Sequence, residues 1–209
     1  MRRYRRLHNM SSCGLWNESL AIAEDYIGLC LTADPSEAPL PPSEAAATMR
    51  RMGRHAESLY EATFQNLVQT FVRGCWPDLC SGLRRVMQEM VSDGFLNWGR
   101  VVSVFAFTGV LARRLLEDNE EEETTTTTTK LRLDLSDWPQ ICRKLAETIA
   151  DFLIEEKKEW MLENNGWEGF CKWCSSSSSR QSSQDAYLKT ALLAAAGVGL
   201  AGLTFLLAR

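Results

Sequence analysis

Apolar residues return every three or four positions along most of the first 174 residues of this 209-residue chain, and no segment alternates them convincingly at a strand's period of two. Leu15, Leu20, Ala23, Ile27 and Cys30, with Glu18, Glu24 and Asp25 between them, predict an amphipathic helix. Asp34-Pro35 and a Pro-rich linker through Pro42 end it. Ser43 and Glu44 open a second helix, whose apolar face (Ala45, Met49, Met52, Ala56, Leu59/Tyr60, Phe64, Leu67 and Phe71) reads as one element until Gly74 and Pro77 break it. A third stretch, Leu79 to Val91, is amphipathic through Leu83, Val86, Met87 and Met90 and stops at Asp93-Gly94.

The pattern changes between Trp98 and Leu116, where Val101 to Ala112 carries no charge and is apolar around the whole cylinder. Such a helix belongs at the centre of an all-α domain, and twelve residues are too few to span a membrane. Glu117 to Glu123 holds six acids in seven residues, followed by six Thr, which reads as a solvated, disordered loop over 117–135. Ser136 or Asp137 caps a further helix with Pro139 in its first turn and Ile141, Leu145, Ile149, Phe152 and Leu153 on its apolar face. It is read as continuing through Trp160–Leu162 to Asn164-Asn165-Gly166, with a last short helix over Trp167–Cys174. There is no internal repeat, and the fold class is an α-bundle around one central helix.

Composition narrows the function. The chain is 45% hydrophobic and 24% charged, which excludes a disordered chain, and seven Cys are too few for a disulfide scaffold. Arg2, Arg3, Arg5 and Arg6 contribute +4 to a net charge of −4, leaving −8 on the rest, so no nucleic-acid surface is expected. Two His, His8 and His55, leave little room for His-based metal or triad chemistry, and the chain reads as a binding protein, not an enzyme. No cofactor is expected.

The two ends differ. Residues 1–9 form a basic N-terminal extension with no apolar stretch behind them, so a secretory signal is excluded and the thiols are expected free in the cytosol. Residues 191–208 run for eighteen positions with Thr204 as their only polar side chain. As a helix they reach about 27 Å, enough for a hydrocarbon core. Tyr187, Lys189 and Arg209 sit at the edges. Residues 175–186 are then a Ser-rich linker and 187–209 a transmembrane tail anchor, with the helical domain over 10–174. Gly197, Gly199 and Gly202 match a dinucleotide fingerprint, but that motif needs a strand before it and an acid about 20 residues on; small residues for helix packing are the better reading.

Two motifs carry a resemblance. Asn97-Trp98-Gly99-Arg100 before the apolar helix resembles the first homology motif of the Bcl-2 family, and Trp160-Met-Leu-Glu163-Asn164-Asn165-Gly166-Trp167-Glu-Gly-Phe170 resembles its second. Met49-Arg-Arg-Met52-Gly53 is similar to the third, BH3, and the helix from Leu15 to the fourth. The opening Cys-Gly-Leu-Trp, the central helix and the anchor resemble the Nr-13 (Boo/Diva, Bcl-2-like ten) branch. The resemblance spans residues 13–174. It implies eight helices, a groove that binds BH3 helices of pro-apoptotic relatives, and control of apoptosis from the mitochondrial outer membrane and/or the endoplasmic reticulum, with a pro-survival sign. It also leaves open a pore-forming or pro-apoptotic member, or a scaffold for an endoplasmic-reticulum calcium channel or another membrane-channel partner.

The residue chemistry is consistent with a groove. Asn97 is placed to cap the helix, so Arg100 lies in its first turn, against the positive end of the dipole, where a cation is unfavourable unless an anion is near. The resemblance assigns that anion to the Asp of an incoming helix; an internal pair with Asp93 or Glu89 is the alternative, and the two are compatible in turn. Gly99 permits close backbone approach. Tyr60, Phe64, Leu67, Val86, Met90, Val101 and Phe107 correspond by position to the family's apolar lining, with Trp98, Asn97 and Arg100 at its centre. Phe95-Leu96 stands where many members have one residue. Arg54 follows Gly53 where ligand helices carry Asp, which disfavours docking of this helix into another copy's groove. Cys171-Lys-Trp-Cys174, with Cys75 and Cys80, reads as helix packing, not as a zinc site.

Overall fold

A computed structural model describes residues 2–122 and 138–177 of the chain. Eight α-helices follow one another among these residues. They are α1 (Arg2–Leu31), α2 (Glu44–Leu59), α3 (Glu61–Cys75), α4 (Leu79–Met90), α5 (Trp98–Glu122), α6 (Trp138–Asp151), α7 (Lys158–Glu163) and α8 (Gly166–Ser177), with a π-helical turn, Phe152–Glu156, after α6.

The starts are fixed by side-chain caps. Ser43 Oγ accepts from the Ala46 amide at 3.1 Å, Asp78 Oδ1 from Ser81 at 3.1 Å, and Asn97 Oδ1 from Arg100 at 2.9 Å. The uncharged helix α5 is the core: Val102, Phe105, Ala106, Leu111 and Ala112 are at most 1% exposed. Helices α1, α2 and α3 pack against it, α6 packs along α1, and α4 bridges α3 and α6. Indole hydrogen bonds tie α1 down: Trp16 Nε1 donates to Asp151 Oδ1 at 2.8 Å, and Trp167 Nε1 donates to Ser19 Oγ at 2.9 Å. Ser19 Oγ in turn donates to the Leu15 carbonyl.

Five boundaries differ from the sequence expectation, one of them the end of α8, which runs to Ser177 and so takes in residues 175–177 of the expected linker. The element expected over Ser43–Phe71 is two helices, broken at Tyr60, whose φ of −129° leaves the helical region. Its amide still donates to Ala56, and its carbonyl accepts from Phe64. The break lets α2 follow α1, α5 and α8 while α3 follows α4 and α5. The helix expected to run to Asn164 is likewise interrupted, at Lys157 (φ −125°) after the π turn, which buries Phe152, Leu153 and Ile154. Helix α5 runs on to Glu122, so residues 117–122 of the expected loop are helical; 123–135 lie outside the described residues. Helix α1 starts at Arg2, making the basic extension the first turns of a helix.

Among the described residues no helix is long and apolar enough to cross a membrane. Residues 187–209, where the anchor is expected, lie outside the described residues.

Candidate functional site

The turn between α4 and α5 holds the most concentrated polar chemistry near the predicted site. Arg100 is 6% exposed, and its guanidinium meets the Asp93 carboxylate end-on, Nη1–Oδ1 at 2.6 Å and Nη2–Oδ2 at 2.5 Å. Nη1 also donates to the Phe95 carbonyl, and Asp93 Oδ1 accepts from the Phe95 amide at 3.0 Å. One carboxylate therefore closes the turn and neutralises the buried cation. The bonds from Arg100 hold the Asp93 carboxyl well below the usual carboxylate range. Arg100 Nε is buried and has no hydrogen-bond partner. The Asp93 side chain remains 49% exposed, so the pair reaches the surface through its acid. Of the two internal partners open from sequence, Asp93 is the one bonded.

Trp98 turns inward, to 5% exposure. Its ring lies 4.7 Å from Trp160, 5.4 Å from Phe170 and 5.9 Å from Trp167, centroid to centroid. The two sequence motifs thus meet in one aromatic cluster, edge-to-face or tilted as aromatic quadrupoles favour. The Gly99 carbonyl accepts from Ser103 Oγ at 2.9 Å. The second motif bends through Asn165 (φ +58°) and Gly166 (φ +54°), and Gly169 lies so close to the Asn164 carbonyl that a Cβ there would overlap it.

Most of the predicted apolar lining is closed. Phe64, Leu67, Met90, Val101 and Phe107 are each at most 7% exposed, whereas Tyr60 and Val86 are half-buried. Phe107 meets Phe71 edge-to-face at 5.3 Å on the α3–α5 seam. Met90, Val101 and Arg100 come together in an apolar crevice with Leu96, Phe152 and Leu153. It measures about 10 Å³, no more than one water needs. Tyr60, Phe64, Leu67, Val86 and Phe107 do not line that crevice.

Comparison with known proteins places this geometry. The model of the apoptosis regulator proteins, Bcl-2 family, matches residues 49–167, from Met49 to Trp167. The chain belongs to the Bcl-2 family. It is 33% identical over 200 residues to the anti-apoptotic protein NR13 of Gallus gallus, covering 92% of this chain and 96% of that one. It is 23% identical over 153 residues to Bcl-2-like protein 10 of Homo sapiens, covering 70% of each. Among solved structures it is similar to a zebra-fish pro-survival protein, NRZ, in complex with a Bad BH3, with a TM-score of 0.64 and 42% identity over 78% of this chain and 95% of that one. The family regulates by binding and is not enzymatic.

Within this Bcl-2 chain the BH3-like helix α2 is itself tightly held. Met49 and Met52 are at most 1% exposed, and Arg50 makes a two-bond pair with Asp25 of α1, at 2.8 and 2.5 Å. One turn after Gly53, the Glu57 carboxylate accepts from the buried Tyr26 hydroxyl at 2.5 Å and from Arg113 Nη2 at 2.5 Å. Sequence reading missed this junction of α1, α2 and α5. Its acid and base lie 56 residues apart, so no local spacing announces them. The cysteines behave as packing: burial pushes the Cys174 and Cys30 thiols up to about 12. No cluster of His, Cys, Asp or Glu able to hold a metal occurs among the described residues.

Proposed function

We propose that this chain is an anti-apoptotic regulator that captures BH3 helices of pro-apoptotic Bcl-2 relatives. The single observation that carries the reading is the buried Arg100 at the head of α5, whose only described carboxylate partner is the half-exposed Asp93. An incoming helix that offers an Asp can take over that guanidinium, because exchanging one carboxylate for another leaves no buried charge unpaired. The similarity to NR13 and to NRZ bound to a Bad BH3 supports both the sign and the ligand class.

Apolar anchors at i, i+3/4, i+7 and i+11 of the ligand helix would meet Tyr60, Phe64, Leu67, Val86, Met90, Val101 and Phe107. Because most of these are buried without ligand, capture requires α3 and α4 to part, and the ligand's apolar face replaces the contacts they give up. Residues 187–209 anchor the chain, cytosol-facing, to the mitochondrial outer membrane and/or the endoplasmic reticulum; the eighteen uncharged residues 191–208 support this.

Titration of BH3 peptides onto the purified full chain tests the ligand, and survival of stressed cells expressing it tests the sign. Saturable binding together with protection upholds the reading. Binding with accelerated death would reverse its sign, and no binding to any BH3 peptide would remove it.

A further inference from the structure

We propose that the cleft between the end of α2, α3 and the second half of α5 binds phosphate groups, clasped between Arg54 and Arg113. This cleft measures about 760 Å³ and is lined by polar side chains, unlike the apolar crevice beside Arg100.

Its floor is a built structure. The Glu57–Arg113 pair lies there, backed by the Tyr26 hydroxyl, and Tyr26 is 1% exposed. The Tyr26 ring reaches this position because residue 53 is Gly: a Cβ there would overlap the ring. Both Glu57 oxygens are engaged, one by Tyr26 and one by Arg113. Arg54 precedes Glu57 by three residues on α2 and lines the same cleft, but no bond joins the two. Among the described residues Arg54 makes no hydrogen bond or ion pair.

The other charges of the cleft are Arg114, Glu117 and Glu61. Arg114 pairs with Asp118 at 2.7 Å and with Glu117 at 4.0 Å, and Glu61 accepts from Gln65 at 3.2 Å. Glu61 keeps its charge, since a Gln amide does not neutralise it, and the uncommitted donors are all of the Arg54 guanidinium and most of the Arg113 guanidinium, which bonds Glu57 through Nη2 alone. A carboxylate is satisfied by one such fork. Two forks lining one cleft suit a group with three oxygens and close to two negative charges, which is a phosphate. Arg54 is also where this chain departs from the Asp of ligand-type BH3 helices, and an Asp there would repel the same group.

The full chain in detergent micelles, titrated calorimetrically with inorganic pyrophosphate and separately with O-phosphoserine at physiological ionic strength, tests this. Saturable one-site binding of either, weakened at least about tenfold by Arg54→Ala and lost in Arg54→Glu, upholds it. The tighter of the two probes names the source, a free polyphosphate or a phosphorylated side chain. Arg113→Lys, which keeps the charge and loses the fork, should also weaken binding. Heat that does not saturate with either probe overturns the proposal, as does wild-type affinity in Arg54→Glu.

Discussion

Asp93 and Arg100 face each other end-on across the turn that joins α4 to α5, with nitrogen–oxygen distances of 2.6 and 2.5 Å, and the acid lies on the solvent side. A ligand carboxylate and Asp93 therefore seek the same two nitrogens. Arg100→Ala should weaken BH3 peptide binding by about 1.5–3 kcal/mol, the range for a hydrogen bond to a charged group, and Arg100→Glu should do worse. Asp93→Ala should act in the opposite direction and raise affinity several-fold, since the competitor is gone. Calorimetry on the three variants, with helical circular dichroism unchanged, checks the set. An Asp93→Ala protein that binds more weakly would make Asp93 a support for the site instead of a rival.

The same pair sets a pH expectation. Arg100 depresses the Asp93 carboxyl, so its contribution is complete above the ordinary carboxylate pKa of about 3.9 and is lost only as pH falls below it. The pair should stay closed at neutral and mildly acidic pH. A carboxyl carbon NMR titration of Asp93 should be flat above about pH 4.

Trp98 joins the two motifs that look separate in sequence, through Trp160, Trp167 and Phe170. Trp98→Ala should destabilise the domain by about 3–5 kcal/mol, the range for deleting a buried aromatic side chain. Urea unfolding measures this, and a loss below about 1 kcal/mol would show that the cluster collapses around the gap. Gly169→Ala tests the second motif alone: the added methyl meets backbone at Asn164, which has little room to yield, so about 1–3 kcal/mol should be lost.

Thiol titration gives a test without mutation. Burial raises the Cys30 and Cys174 thiols to about 12 and Cys142 to about 11. A thiol raised on folding contributes stability that is complete below its unfolded pKa, near 8.5, and is lost as pH climbs toward the folded value. The melting temperature should therefore fall between about pH 9 and pH 12. At neutral pH a thiol-specific reagent should label Cys13, which is exposed, well before Cys30 or Cys174.

Much of this fold is local and so could be read from sequence. Ser43 and Asn97 are caps whose bonds span three residues, and the uncharged Val101–Ala112 run leaves its helix no place but the centre. The break at Tyr60 was hidden because the apolar spacing of Ala56, Tyr60 and Phe64 continues through it, and neither Gly nor Pro marks it. The π turn at Phe152–Glu156 was hidden for a similar reason: Ile149, Phe152 and Leu153 fit an unbroken stripe. At the site, Arg100 was legible from its place in a first turn and Asp93 from its nearness. The Tyr26–Glu57–Arg113 junction was not, since only tertiary packing brings α1, α2 and α5 to one point.

The burial of α2 bears on how capture adds up in a cell. The faces that a free BH3 helix would offer another molecule, through Met49, Met52 and Ala56, are here turned into the chain's own interior and fastened by Arg50 to Asp25. A copy that has taken a helix has none of its own to hand onward. Capture therefore stops at one-to-one: no relay forms from molecule to molecule, occupancy on one copy says nothing to the next, and protective capacity rises in simple proportion to the number of copies.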